Sequence, residues 1–216
     1  MAFTIYGAGI ATDGWITHSN TGNWSTSRDA ITATADHNDQ RQLSAIRARK
    51  VASGRGTQWR VSRAFFTFGT VRYTQQPVSG TLHIKGHGSD TANISVVKST
   101  HSSTLTGTDF NNIDGWTTGS NLSNVTYYNT RSGVALSWNA ADWNVIDLNQ
   151  QALSDIATSS LLKLCLINNA YDLRDVEPST GVDVYSGCYF QDNAGTSSDP
   201  YITIHPDTST FFGTNF

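Results

Sequence analysis

Gln58–Gly69 reads QWRVSRAFFTFG. Trp59 and Val61, and then Ala64, Phe66 and Phe68, recur at every second position, which is the period of a β-strand. Aromatic and β-branched residues fill the run and no proline interrupts it, as a sheet interior requires. The inward set changes parity between Ser62 and Phe65, and that step predicts a bulge. A strand this apolar needs a second layer to cover it, so the run sets the class as all-β with two stacked sheets.

The same alternation extends in both directions. Upstream lie Ala2–Tyr6, Ile10–Thr17 and Gln42–Arg49, the last with Leu43, Ala45 or Ile46 inward and Arg47 and Arg49 sharing one face. The intervening Asn20–Asn38 reads as a loop, and Ser53–Gly56 (SGRG) as a turn. Downstream lie Val78–Gly86, Ala92–Ser99, Val125–Tyr128, Gly133–Trp138, Asn144–Leu148, Leu161–Ile167, Val184–Gln191 and Tyr201–His205. One short helix is predicted over Asn149–Ala157, capped by Asn149, with Ala152, Leu153 and Ile156 on one face. There is no βαβ alternation and no charged or Pro-rich linker. The expectation is one β-sandwich domain of jelly-roll type over 1–205, with an aromatic C-terminal tail over 206–216. The polar Thr100–Asn124 connection is long enough to be read as functional.

Composition agrees. The chain of 216 residues is 38 % hydrophobic and only 14 % charged, with 6 Trp, 8 Tyr and 9 Phe. Uncharged, hydroxyl-rich and aromatic-rich chains suit sheets with one wetted face rather than disorder. Cys165 and Cys188 lie in apolar runs without metal-site spacing and read as buried, reduced thiols, with a disulfide as the alternative if the two late strands are sheet neighbours. The first residues have no basic segment and apolar core of signal-peptide length, and no run reaches the ~18 apolar residues of a membrane span. Synthesis in a cytosol is the expectation.

Charge is sorted along the chain. From Gln40 to Ser89 there are nine Arg or Lys and no Asp or Glu, whereas the preceding and following segments are acidic and bring the total to −3. The basic window must either pair with the later acidic strands or face an acidic neighbour. Its arginines are spaced on strands, the pI is about 6.0 and no recognition motif occurs, so charge-assisted pairing is favoured over nucleic acid.

No nucleophile elbow, HExxH, Walker loop or dinucleotide fingerprint is present, and no enzyme is expected. Asp109, Asp114 and Asp142 near Trp116 and Trp143 are the only candidates for carboxylate chemistry. His83 and His87 share a strand face and read as a solvent-facing pair rather than metal ligands. No cofactor is expected; Ca²⁺ is possible where Asp172, Asp175, Glu177 and Asp183, then Asp192 and Asp199, crowd two loops, against the reading that these acids meet the arginines. Sugar binding would use ring faces, with Trp116, Tyr127, Tyr128 and Trp143 as candidates and Trp138 as core.

The order of elements from RVSRAFFTF and SGTLHIKG through Trp138, NVIDLN, LLKLCLI and SSDPYITI resembles the DNRLRE-type jelly-roll module over roughly 57–205. The DNRLRE string itself is absent. Such modules occur in tailed-phage virion proteins and polysaccharide-associated proteins. The resemblance implies a sandwich with a structural or binding role. The expectation is therefore a non-enzymatic virion protein, a capsid decoration or tail-appendage subunit, contacting other virion proteins and copies of itself, with neither nucleic acid nor membrane as partner. Arg47, Arg49, Lys50 and Arg55 are its expected interface, and Phe211, Phe212 and Phe216 its tail anchor. The alternative is a carbohydrate-binding module.

Overall fold

A computed structural model describes residues 2–8, 12–36, 40–54, 56–70, 76–119, 124–130, 136–191 and 196–206. Eleven strands are present among the described residues: β1 Phe3–Tyr6, β2 Gly14–Asn20, β3 Thr34–Asp36, β4 Arg41–Ser53, β5 Gly56–Gly69, β6 Ser79–Asp90, β7 Ile94–Lys98, β8 Trp143–Asp147, β9 Leu161–Asn168, β10 Val182–Tyr189 and β11 Tyr201–His205. All pairings are antiparallel. The fold is an all-β sandwich. One layer runs β8-β6-β11-β1 and the other β7-β9-β5-β2-β3, and β10 and β4 carry the hydrogen-bonded path between them.

Two long strands make this possible. One end of β6 pairs with β11 and β8, and its far end turns to β10. Along one edge of β5, residues 56–62 pair with β4 and residues 64–69 with β9, while β2 holds the other edge. The registers through β5 are continuous, so the bulge expected between Ser62 and Phe65 is absent. The parity change has another cause: β5 is buried on both faces. Ala64, Phe66 and Phe68 enter the core between the two layers, with Leu82, Ile84, Leu164 and Ile202. Trp59, Val61 and Phe65 enter a second core on the far face, with Ile16, Val97, Cys165 and Ile167. A strand covered on both sides reads as a continuous apolar run, and its alternation is lost.

The second core is closed by segments that carry little regular structure. Leu105, Phe110 and Ile113 from the Thr100–Asn124 connection, Trp24 from helix α1 (Trp24–Arg28) and Leu173 from the π-helical turn Asn169–Leu173 are all buried there. Helix α1 and β3 fall inside the stretch read as a loop. Helix α2 (Gln150–Thr158) forms where expected; the Asn149 side chain accepts from the Ala152 N–H, and Ala152, Leu153 and Ile156 pack into the first core. Val125–Tyr128 is not a strand; isolated bridges at Tyr127 and Leu136 line the edge of β7 instead. The real bulge lies where β10 meets β4 and β6, between Ser186 and Cys188. There Ala45 and Ile46 are both buried, and Leu43, expected inward as one alternative, is exposed. Cys165 and Cys188 are free and buried in different cores, on opposite faces of the sheet system. No helix among the described residues is long and apolar enough to cross a membrane.

Candidate functional site

The odd-numbered face of β5 that carries Trp59, Val61 and Phe65 also carries Arg63, fully buried. All five guanidinium N–H groups are used. Nε and Nη2 donate to the two oxygens of Asp172 at 2.8 and 2.7 Å; Nη1 donates to the Phe110 carbonyl and to Asn111; Nη2 also donates to the Arg28 carbonyl. Arg28, equally buried, donates from Nε to the Asp172 carbonyl and pairs with Asp29. Both guanidiniums lie over the ring of Trp116, at 4.3 and 4.2 Å from its centroid. The network joins α1, the Phe110–Gly119 segment and the Asn169–Leu173 turn to β5. Breaking a buried ion pair is costly, because the surviving partner is left as an uncompensated buried charge. This is a structural clasp.

Charge of a different kind stands on the even-numbered face of β5, before the first core begins. Arg49 on β4 lies directly opposite Arg60 on β5. Arg47, two residues along, makes a bidentate pair with Asp183 of β10 at 2.8 and 2.5 Å, and Arg49 reaches the same carboxylate at 3.6 Å. Two guanidiniums therefore share one carboxylate, with that of Arg60 beside them. The Nε atoms of Arg49 and Arg60 are enclosed without a hydrogen-bond partner. Burial, then the charges of Arg47 and Arg49, lower the pKa of Arg60. Lys50 projects from the other face of β4, where it bonds Glu177 at 2.8 Å over the Trp59 ring.

A third feature spans the outward face of the β8-β6-β11-β1 layer. Tyr6, Tyr201, His83 and Val145 are paired in register on four adjacent strands. The His83 and Tyr201 rings stack at 4.3 Å with 7° between planes, and Trp143 meets Tyr201 edge-on at 5.2 Å.

The candidates named from sequence thus separate. Arg47 and Arg49 share a face, as expected, and Lys50 does not; Arg55, Phe211, Phe212 and Phe216 lie outside the described residues. Of the four sugar-binding candidates, Tyr128 is buried in the first core with its hydroxyl on Asp155, Trp116 is held under two arginines, and Tyr127 packs on the second core. Trp143 alone joins an outward aromatic row. Trp138 is core, as expected, and its indole N–H donates to the Gly187 carbonyl. Four of the six acids read as a possible calcium cluster face cations: Asp172 the clasp, Asp175 Arg28, Glu177 Lys50 and Asp183 Arg47; Asp192 lies outside the described residues, and one carboxylate oxygen of Asp199 is buried without a hydrogen-bond partner. Among the described residues, no group of three or more His, Cys, Asp or Glu is placed to hold a metal ion. Asp109 is buried and accepts from Ser102, Thr106 and Asn112, which bends the long connection into shape.

Sequence reading missed Arg28, Arg63 and the Tyr201–His83 stack. Arg63 carried a signal: it shares parity with Trp59, Val61 and Phe65, whereas Arg60 shares parity with the open end of the other face. No protein-family model and no curated protein matches this chain.

Proposed function

We propose that the chain is a non-enzymatic structural protein of a tailed-phage virion, a capsid decoration or tail-appendage subunit that works through contacts with other virion proteins and with copies of itself. The observation that carries this reading is the pairing of Arg49 against Arg60. Like charges directly opposite on two strands are unfavourable, and one carboxylate among three guanidiniums leaves the face cationic. Elsewhere in the basic window, Arg63 is neutralised within the chain by Asp172 and Lys50 by Glu177. An acidic partner surface would complete this one. Arginine forks make such contacts directional, and repetition on a lattice multiplies weak ones. The resemblance to DNRLRE-type modules supports the same class. Mass spectrometry of purified particles of the phage that encodes the chain tests the reading. The chain should be present in fixed proportion to the major capsid or tail protein, and its absence from washed particles would overturn it.

A further inference from the structure

We infer that an apolar mouth at one end of the first core, rimmed by Val78, Pro206 and Phe3, is the seat of the chain's own C-terminal segment, residues 207–216. The inference goes beyond the assembly reading and does not involve the arginine face.

Strand alternation makes the mouth. Val78 lies two residues before Gly80 on β6, Pro206 two residues after Ile204 on β11, and Phe3 two residues before Ile5 on β1. Gly80, Ile204 and Ile5 are buried, and the two isoleucines belong to the first core. Residues two apart on a strand share a face, so Val78, Pro206 and Phe3 continue the inward face of this layer past the end of the core. They are neighbours across the sheet. Phe3, Ile204 and Gly80 are paired in register on three adjacent strands, and the Val78 N–H donates to the His205 carbonyl at 2.9 Å. Two strand spacings, roughly 10 Å, separate β1 from β6, with Pro206 between them. At this end Val78 is 54 % and Phe3 42 % exposed.

The course of the chain names the occupant. β11 ends at His205, so the chain leaves the fold at Pro206, in the middle of the mouth. Beyond it the sequence reads DTSTFFGTNF, with three Phe and one charged side chain. Phe211 is five residues past Pro206, a reach of roughly 17 Å at full extension, which is enough to return its ring to Val78 and Phe3. A ring seated there leaves water together with the apolar surface it covers. A tether this short holds the segment over its own mouth at an effective concentration of about a millimolar, which favours it over the segment of a neighbouring copy. Phe211, Phe212 and Phe216 then serve the chain that carries them, and contacts between subunits are left to the arginine face.

Hydrogen exchange and thermal melting of four full-length proteins test this: the wild type, Phe211→Ser/Phe212→Ser, Val78→Ser and the triple combination. The Phe211→Ser/Phe212→Ser variant should exchange the amides of β1 and β11 at least tenfold faster, leave β7 and β9 unchanged, and melt about 2–4 °C lower. Adding Val78→Ser should lower the melting temperature no further, because the two sides of one contact are not additive. Unchanged exchange in the Phe211→Ser/Phe212→Ser variant overturns the inference, and so do additive shifts. Oxidative cross-linking of Val78→Cys/Phe212→Cys identifies the chain that supplies the segment, since Cys165 and Cys188 are buried and do not compete. A cross-linked monomer is expected. A cross-linked dimer alone would seat the segment on a second copy and overturn the inference, as would the absence of any cross-link.

Discussion

Arg63 and Asp172 stand 109 residues apart in sequence and meet through two parallel hydrogen bonds of 2.8 and 2.7 Å, with neither side chain reaching solvent. The pair joins the central strand to the segments that roof the second core. Arg63→Met removes all five of its hydrogen bonds and strands the Asp172 carboxylate in an apolar site. The expected loss is about 3–5 kcal/mol, and Asp172→Leu should cost about as much. Replacing both together should recover most of the loss, because no uncompensated charge remains. Urea denaturation of the four proteins measures this. Additive losses in the double variant would show that the clasp is not a unit.

Arg60 makes a prediction of opposite sign. Arg60→Gln relieves the repulsion from Arg49 and Arg47 and should stabilise the isolated chain by about 0.5 kcal/mol, more at low salt than at high salt. Thermal melts at two ionic strengths check both parts. A destabilised variant would mean that Arg60 is held by attraction and that the face has no unmet charge.

His101 sets an acid limit. The ring is buried against Thr67, Ser99 and Phe65. Burial, and then the Lys163 charge, lower its pKa to about 4. The folded value lies below the ordinary one near 6.5, so between those limits the unfolded chain binds more protons. Stability is complete above about pH 6.5 and falls as the pH drops toward 4, by about 3 kcal/mol from this group. His101→Gln should flatten that part of the stability–pH curve. Equal slopes for the two proteins between pH 6.5 and 4 would contradict the assignment.

Gly187 sits in the bulge of β10, where a Cβ would lie 2.1 Å from the His87 carbonyl oxygen and 2.6 Å from that of Gln42. Both obstacles are backbone, so neither gives way cheaply. Gly187→Ala should cost roughly 1–3 kcal/mol or more and disturb the Trp138 bond to the Gly187 carbonyl. The midpoint of denaturation and the Trp138 indole proton shift report it. A wild-type midpoint would show that the bulge is pliable.

Much of the sandwich was legible in sequence because strand period and burial coincide. Val78–Gly86, Leu161–Ile167 and Tyr201–His205 became β6, β9 and β11 with small changes at their ends. The helix after Asn149 announced itself through its cap and its apolar face. The second core was not legible. Its roof is the polar Thr100–Asn124 connection and a loop-like stretch around Trp24, whose few apolar residues have no period; what holds them is the Arg63 clasp and the Asp109 turn, both long-range or side-chain features. The candidate faces divided in the same way. Arg47 and Arg49 were placed together by alternation on one strand. The Tyr6–Tyr201–His83–Val145 row depends on register between four strands distant in sequence, which no local pattern records.

The assembly role we propose rests on the arginine face, and removing its charge tests it most directly. Arg49→Gln/Arg60→Gln should keep the circular dichroism spectrum of the wild type and melt no lower, because it removes the like-charge pair and no core contact. In phage particles grown with this variant as the only copy, the chain should be missing or reduced at least tenfold by quantitative mass spectrometry. Incorporation of the folded variant at the wild-type ratio would contradict the role given to this face.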